Sequence, residues 1–129
     1  MNYFVSPNMQ KAQAAIPYGA PAADGYAYNG PVGQYFAQIL ANCFPQYTVW
    51  PNVRLNPNSR DSVPVTFMVC AGSRPVLGII ICSSKAWESD PIMNTIQQCQ
   101  KSGIPVQRYY YNFRNEANYV INRLSKVLR

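Results

Sequence analysis

The densest group of side chains able to hold a ligand is Arg108-Tyr109-Tyr110-Tyr111-Asn112-Phe113-Arg114. Arginines that bracket aromatic rings can pair with phosphates while the rings stack on bases. The same alternation also suits a strand whose Tyr109 and Tyr111 pack beneath helices while Arg108 and Tyr110 face outward or snorkel. Acidic residues offer a second chemistry. Asp61, Lys85, Glu88 and Asp90 fall around two loops, where carboxylates could hold a divalent ion. Their plainer roles are a helix cap for Asp90, followed by Pro91, and solvated loop charges for Asp61 and Glu88. Histidine is absent, which removes Ser/His and Cys/His nucleophiles. Neither a GxxxxGK[ST] nor a GxGxxG phosphate loop occurs.

The four cysteines, Cys43, Cys70, Cys82 and Cys99, form no CxxC pair. They read as buried free thiols that behave as small apolar side chains. If Val65–Cys70 and Val76–Cys82 form a hairpin, Cys70 faces Pro75 and Cys82 lies opposite Val63. About seven residues of extended chain, on the order of 20 Å, then separate the two thiols. No disulfide or zinc site joins them, and no metal or cofactor is expected. Eleven Lys and Arg against five Asp and Glu give a net charge of +6. That excess favours a polyanionic partner, although the basic residues are scattered rather than clustered.

These residues depend on a frame. The stretch from Val63 to Asp90 reads as two buried strands, Val65–Cys70 and Val76–Cys82, joined through Ala71–Pro75. The second has no polar residue between Pro75 and Cys82. A strand apolar on both faces belongs at the centre of a covered sheet. Ahead of it, Val32, Tyr35, Phe36, Ile39, Leu40, Cys43 and Phe44 recur at helical spacing, with Pro31 in the first turn and Pro45 as the stop. Gln46 to Leu55 reads as a strand with Tyr47, Val49, Val53 and Leu55 on one face. Pro51 makes it a bent or edge strand.

Asn56 to Ser62 and Ser83 to Ser89 read as loops. Asp90 to Gly103 reads as a helix lined by Ile92, Met93, Ile96 and Cys99. Val106 to Phe113 follows as a strand. Asn115 to Leu128 closes the chain as a helix striped by Val120, Ile121, Leu124, Val127 and Leu128. Residues 1–30 are rich in Ala, Pro, Tyr and Gly, without a persistent period. They read as a flexible tail or linker whose Tyr18, Tyr26 and Tyr28 could grip a partner. Residues 31–129 read as one α/β domain of order α-β-β-β-α-β-α in three layers. No apolar run approaches the roughly 20 residues of a membrane helix, and no secretory signal is recognised, so a cytoplasmic protein is expected.

That order resembles the PD-(D/E)xK, restriction-endonuclease-like nuclease fold, in its small bacterial stand-alone branch. Gly30-Pro31-Val32-Gly33, Asn52-Val53-Arg54-Leu55, Thr66-Phe67-Met68-Val69, Pro75 to Lys85 and Ser102-Gly103-Ile104-Pro105-Val106 carry the likeness. It covers about residues 30–129. The resemblance implies phosphodiester cleavage with Mg²⁺ held on carboxylates at the mouth of the hairpin. Position by position, however, Gly33 stands for the helix acid, Thr66 for the strand Asp, Ile80 for the metal-binding Glu and Cys82 for the residue two further on. Mg²⁺ needs oxygen ligands, and Gly33 and Ile80 offer no side-chain oxygen. With Thr66 expected opposite Ile79, the degenerate site should be an apolar core.

The expectation is a catalytically inactive nuclease-like domain that binds DNA or RNA through Arg54, Arg60, Lys85, Arg108 and Arg114. The alternative is a protein-interaction or structural module using its aromatic surface and Tyr-rich tail. Third comes an active Mg²⁺-dependent nuclease with its site relocated to Asp61, Lys85 and Glu88.

Overall fold

A computed structural model describes residues 30–56 and 61–128. The tail expected for residues 1–30, with Tyr18, Tyr26 and Tyr28, therefore lies outside the described residues up to residue 29, and so does Arg60. The elements, in order, are α1 (Gly30–Cys43), β1 (Thr48–Val53), β2 (Val65–Ala71), β3 (Arg74–Cys82), α2 (Asp90–Lys101), β4 (Val106–Tyr110) and α3 (Ala117–Ser125). Among the described residues the strands form one mixed sheet in the order β1-β2-β3-β4. The first three strands run antiparallel, and β4 lies parallel to β3 after the α2 crossover. This is a mixed α/β domain with the expected element order. Among the described residues, no helix is long and apolar enough to cross a membrane.

The two-sided apolarity of β3 dictates the layering. Leu77, Ile79 and Ile81 join Phe36, Leu40, Val120 and Leu124, so α1 and α3 cover one face. Ile80 and Cys82 join Ile92 and Ile96, so α2 covers the other. Each side of the sheet thereby gains a dry core from one strand's alternating side chains.

Local chemistry sets the ends of the elements. Gly72, at φ +64, sits in the two-residue link between the paired Ala71 and Arg74, where primed hairpin turns need positive φ. At the end of α2, Ile104 N–H donates to Cys99 O and Gly103 N–H to Gln100 O, at 2.9 and 3.0 Å. With Gly103 at φ +75, this is a Schellman stop, and the buried Ile104 packs in one cluster with Cys99.

Several expectations need correction. Ser89, not Asp90, occupies the extended N-cap position of α2, and Asp90 is the first helical residue. Its carboxylate favours the positive end of the helix by charge rather than by a cap bond. Strand β4 stops at Tyr110 instead of Phe113. Asn115 Nδ2 donates to the carbonyls of Tyr110 and Phe113, and Asn112 binds Ser84, so side chains turn the backbone out of the ladder. Cys43 is exposed, whereas Cys70, Cys82 and Cys99 are buried free thiols. It is the last residue of α1, and the adjacent Phe44 takes the buried place.

A larger correction concerns β1. Val49 packs in the α1/α3 core, but Val53 and Leu55 pack in the α2-side cluster, so the four residues do not share one face. Strand β2 breaks step at the same level. Phe67 belongs to the α1/α3 core, while Val65 lies with Cys99 on the other side. Residues two or four apart should share a face. Both breaks straddle one cross-strand level, between the pairs Pro51↔Phe67 and Val53↔Val65. Asn52 stands there at φ +58, a left-handed conformation that asparagine tolerates better than most side chains. Across from it, Thr66 Oγ1 accepts Ile81 N–H at 2.9 Å, so its side chain spans toward β3.

Candidate functional site

Gly33, Thr66, Ile80 and Cys82, the positions that the expected resemblance would align with metal-binding acids, divide between the layers. Thr66 reaches the backbone at Ile81, between Ile80 and Cys82, and all three residues are fully buried. Ile80 and Cys82 pack with Val63, Ile92 and Ile96. Thr66 was expected opposite Ile79. A register shift between Val69 and Cys70 instead pairs Phe67 with Ile79, which carries Thr66 one step on, toward Ile80. Gly33 is buried in α1, the helix that covers the opposite face of the sheet. Among the described residues, no carboxylate packs in the cluster of Ile80 and Cys82. Burial raises the Cys82 thiol to about 11, partly offset by the Arg108 cation. A thiol so poised stays protonated at neutral pH, which suits packing rather than metal ligation or nucleophilic attack.

Pairing brings the carboxyl ends of β1, β3 and β4 and the amino end of β2 to one end of the sheet. Arg54 follows β1 there and donates to Ser62 O at 3.2 Å, while exposed Lys85 follows β3. Asp61, Glu88 and Asp90 border the same end, and Asn94 Nδ2 holds Asp61 O at 2.8 Å. These acids do not converge. Among the described residues, no three His, Cys, Asp or Glu side chains gather as a metal-ligand group. The charges here are mixed, so Arg54 and Lys85 do not by themselves make a cationic surface.

The arginines of the aromatic segment are arranged differently. Along the outer edge of β4, between that strand, the 111–116 connection and α3, lies a cleft of about 480 Å³. Val106, Arg108, Tyr109, Tyr110, Phe113, Arg114, Asn115, Tyr119 and Arg123 line it. Three arginines and four aromatic rings therefore share one concavity, and no carboxylate among the described residues lines it. Glu116 approaches Arg114 to 3.8 Å from just outside, but both side chains are largely exposed, so the pair is weak.

Each arginine has its own support. The Arg108 guanidinium lies 4.7 Å over the Trp87 ring, and its Nη1 donates to Trp87 O at 3.4 Å. It neither faces freely outward nor snorkels. It is half-buried against the loop ahead of α2, where its Nη1 meets Trp87 O and Met93 Sδ, on a group that carries five donors. Arg123 braces the cleft wall. Its Nη1 donates to Arg108 O at 2.8 Å, and the guanidinium lies 4.4 Å over Tyr109 and 5.8 Å over Tyr119. Gln107 Nε2 answers by donating to Arg123 O at 2.7 Å, and Tyr109 O–H donates to Gln107 Oε1 at 2.7 Å. Tyr109 is buried, and desolvation pushes its hydroxyl up to about 12 despite Arg123. Together these bonds fasten α3 along the outer side of β4, where an open strand edge would otherwise present unpaired backbone groups.

A second, apolar pocket of about 310 Å³ adjoins the cleft, lined by Val32, Tyr35, Tyr111, Phe113 and Asn115. Phe113 and Asn115 line both concavities. The structure thus unites Arg108 and Arg114 from the candidate binding set, and leaves Arg54 and Lys85 outside that lining. Sequence reading missed Arg123, Tyr119 and Trp87. The four-residue spacing of Tyr119 and Arg123 on a helix was the available signal for one pair; nothing local marks Trp87 as the support of Arg108. No protein family, curated protein or solved structure matches the chain.

Proposed function

We propose that this domain is a nuclease-like module of the PD-(D/E)xK type that has lost metal-dependent cleavage and acts in the cytoplasm by binding nucleic acid. The observation that carries the reading is the β4-edge cleft, where Arg108, Arg114 and Arg123 meet Tyr110, Phe113 and Tyr119 with no lining carboxylate among the described residues. Cations there attract phosphates, and rings offer base-stacking faces. The packed junction of Thr66, Ile80 and Cys82 supports the loss of chemistry, since it offers a hard divalent ion no charged oxygen. Arg54 and Lys85 are outer contacts in this reading, at the same end of the sheet.

Binding to DNA or RNA, followed by fluorescence anisotropy across a salt series, tests it. Affinity should fall steeply between about 50 and 200 mM salt, as counterion release requires. No binding to any nucleic acid at low ionic strength would leave the second reading, a protein-interaction module. Phe113, Tyr119 and Trp50 favour that alternative, being 57%, 51% and 39% exposed. Mg²⁺-dependent cleavage of a plasmid, abolished by Asp61→Ala, would restore a working nuclease with its site at Asp61, Lys85 and Glu88.

A further inference from the structure

The two concavities that meet at Phe113 differ in chemistry. One carries three guanidinium groups; the other is walled by Val32, Tyr35, Tyr111 and the shared ring. Phe113 is 57% exposed and sits 5.1 Å, edge to face, from Tyr110. A large apolar ring is left this exposed where it divides a charged cleft from an apolar pocket. Any ligand filling both must present an anion on one side of the ring and a flat or apolar group on the other.

A strand of nucleic acid repeats that pattern at every nucleotide, whereas a duplex hides its base faces inside the stack. The volumes also fit more than one group: about 480 Å³ for the cationic cleft and about 310 Å³ for the pocket. We infer that the β4 edge is a single-strand site at least two nucleotides long, with a phosphate held between Arg108 and Arg114 and an unstacked base seated against Phe113 in the Val32–Tyr35–Tyr111 pocket. This rests on the nucleic-acid reading above and adds the strandedness of the ligand and the division of labour between the two concavities.

Arginine and phenylalanine should then fail differently. Removing Phe113 takes away stacking but no charge, so affinity drops while the salt slope stays. Removing Arg114 takes away one phosphate contact, so the slope of log K against log salt should fall by about 0.7 for a single strand. Loss of one stacked base should cost between about fivefold and about a hundredfold in affinity.

The test compares a labelled mixed-sequence 12-nucleotide strand with the duplex of the same sequence, using wild type, Phe113→Ala, Phe113→Trp and Arg114→Ala of the full chain. Circular dichroism establishes that each variant is folded. Expected are tighter binding of the single strand than of the duplex at equal salt, a loss of at least about fivefold for Phe113→Ala, and rescue by Phe113→Trp. Equal binding of strand and duplex, or an unchanged single-strand affinity in Phe113→Ala, overturns the single-strand site while the broader nucleic-acid reading stands. Failure of both ligands to bind at low salt removes both.

Discussion

Two regions of this domain stand where chemistry is to be expected, and they have opposite character. The junction of β2 and β3 is closed: Thr66, Ile80 and Cys82 are fully buried, and the threonine hydroxyl accepts the Ile81 amide. The β4 edge is open, cationic and aromatic, with Phe113 and Tyr119 about half exposed. A buried carboxylate cluster stores repulsion and desolvation cost, which a functional site must carry and a core need not. An apolar junction is free to stabilise the fold. The open edge does the reverse: three guanidinium groups line it with no carboxylate among the described residues, and Phe113 and Tyr119 remain about half exposed. Surface that is poor for folding is retained there, and the functional reading follows that asymmetry.

Placing an acid in the closed region is the most severe way to break the contrast. Ile80→Glu removes a fully buried aliphatic side chain from contact with Val63, Ile92 and Ile96 and puts a carboxyl in its place. Lost burial alone costs about 2–5 kcal/mol, and the unpaired polar group adds to it. The total should exceed about 4 kcal/mol, a large share of the roughly 5–15 kcal/mol that holds a domain together. Urea unfolding should show a collapsed midpoint or no folded baseline. A variant that folds with near wild-type stability, and gains further stability from Mg²⁺, would mean that the junction has the shape of a metal site.

Much of this was legible beforehand. β3 declared its central place through an unbroken apolar run, and α1, α2 and α3 showed their stripes through 3.6-residue spacing. The pairing of Cys70 with Pro75 followed from hairpin geometry and is found. What lay hidden were features that depend on one residue's backbone or on distant partners. Periodicity assumes a constant step, so it placed Val49 and Val53 together and missed the left-handed Asn52 between them. The bulge beyond Val69 displaced Thr66 for the same reason. The cleft was half visible. Arg108 to Arg114 announced itself as a cluster, but the partners that set its shape, Trp87 and Arg123, come from a loop and a helix distant in sequence.

The dryness of the closed region should also show itself in alkali. Burial raises the Cys82 and Cys99 thiols from an ordinary value near 9 to about 11, and Tyr109 from 10 to about 12. In each case the folded state keeps a proton that the unfolded chain gives up first. Between pH 9 and 11 the unfolded state therefore binds fewer protons, and stability must fall as pH rises. Well below pH 9 both states hold the thiol protons and these groups leave stability unchanged. The thermal midpoint should decline from pH 9 upward, and Cys82→Ala, though less stable at neutral pH, should decline less steeply over the same interval. Equal slopes in the two proteins would mean that the Cys82 thiol is not desolvated and that the junction admits water.

The smallest expected effect sharpens the contrast at its origin, since the step at Asn52 and Thr66 hands Val53 and Val65 to the α2 side. Asn52 holds φ +58, where a side chain with a Cβ pays about 1–2 kcal/mol and asparagine pays less than most. Asn52→Gly should be neutral or change stability by a few tenths of a kcal/mol, because glycine reaches this conformation without a clash. Asn52→Ala should cost about 1 kcal/mol, and Asn52→Val more, because branching at Cβ worsens the same clash. Denaturant midpoints in the order Gly, Ala, Val would tie the strand's change of face to this one dihedral. If alanine proved as stable as glycine, the step would have to come instead from Thr66, whose Oγ1 draws the Ile81 amide from across the sheet. Thr66→Val, which keeps the shape and removes the acceptor, would then be the more damaging change, leaving a buried N–H without its partner.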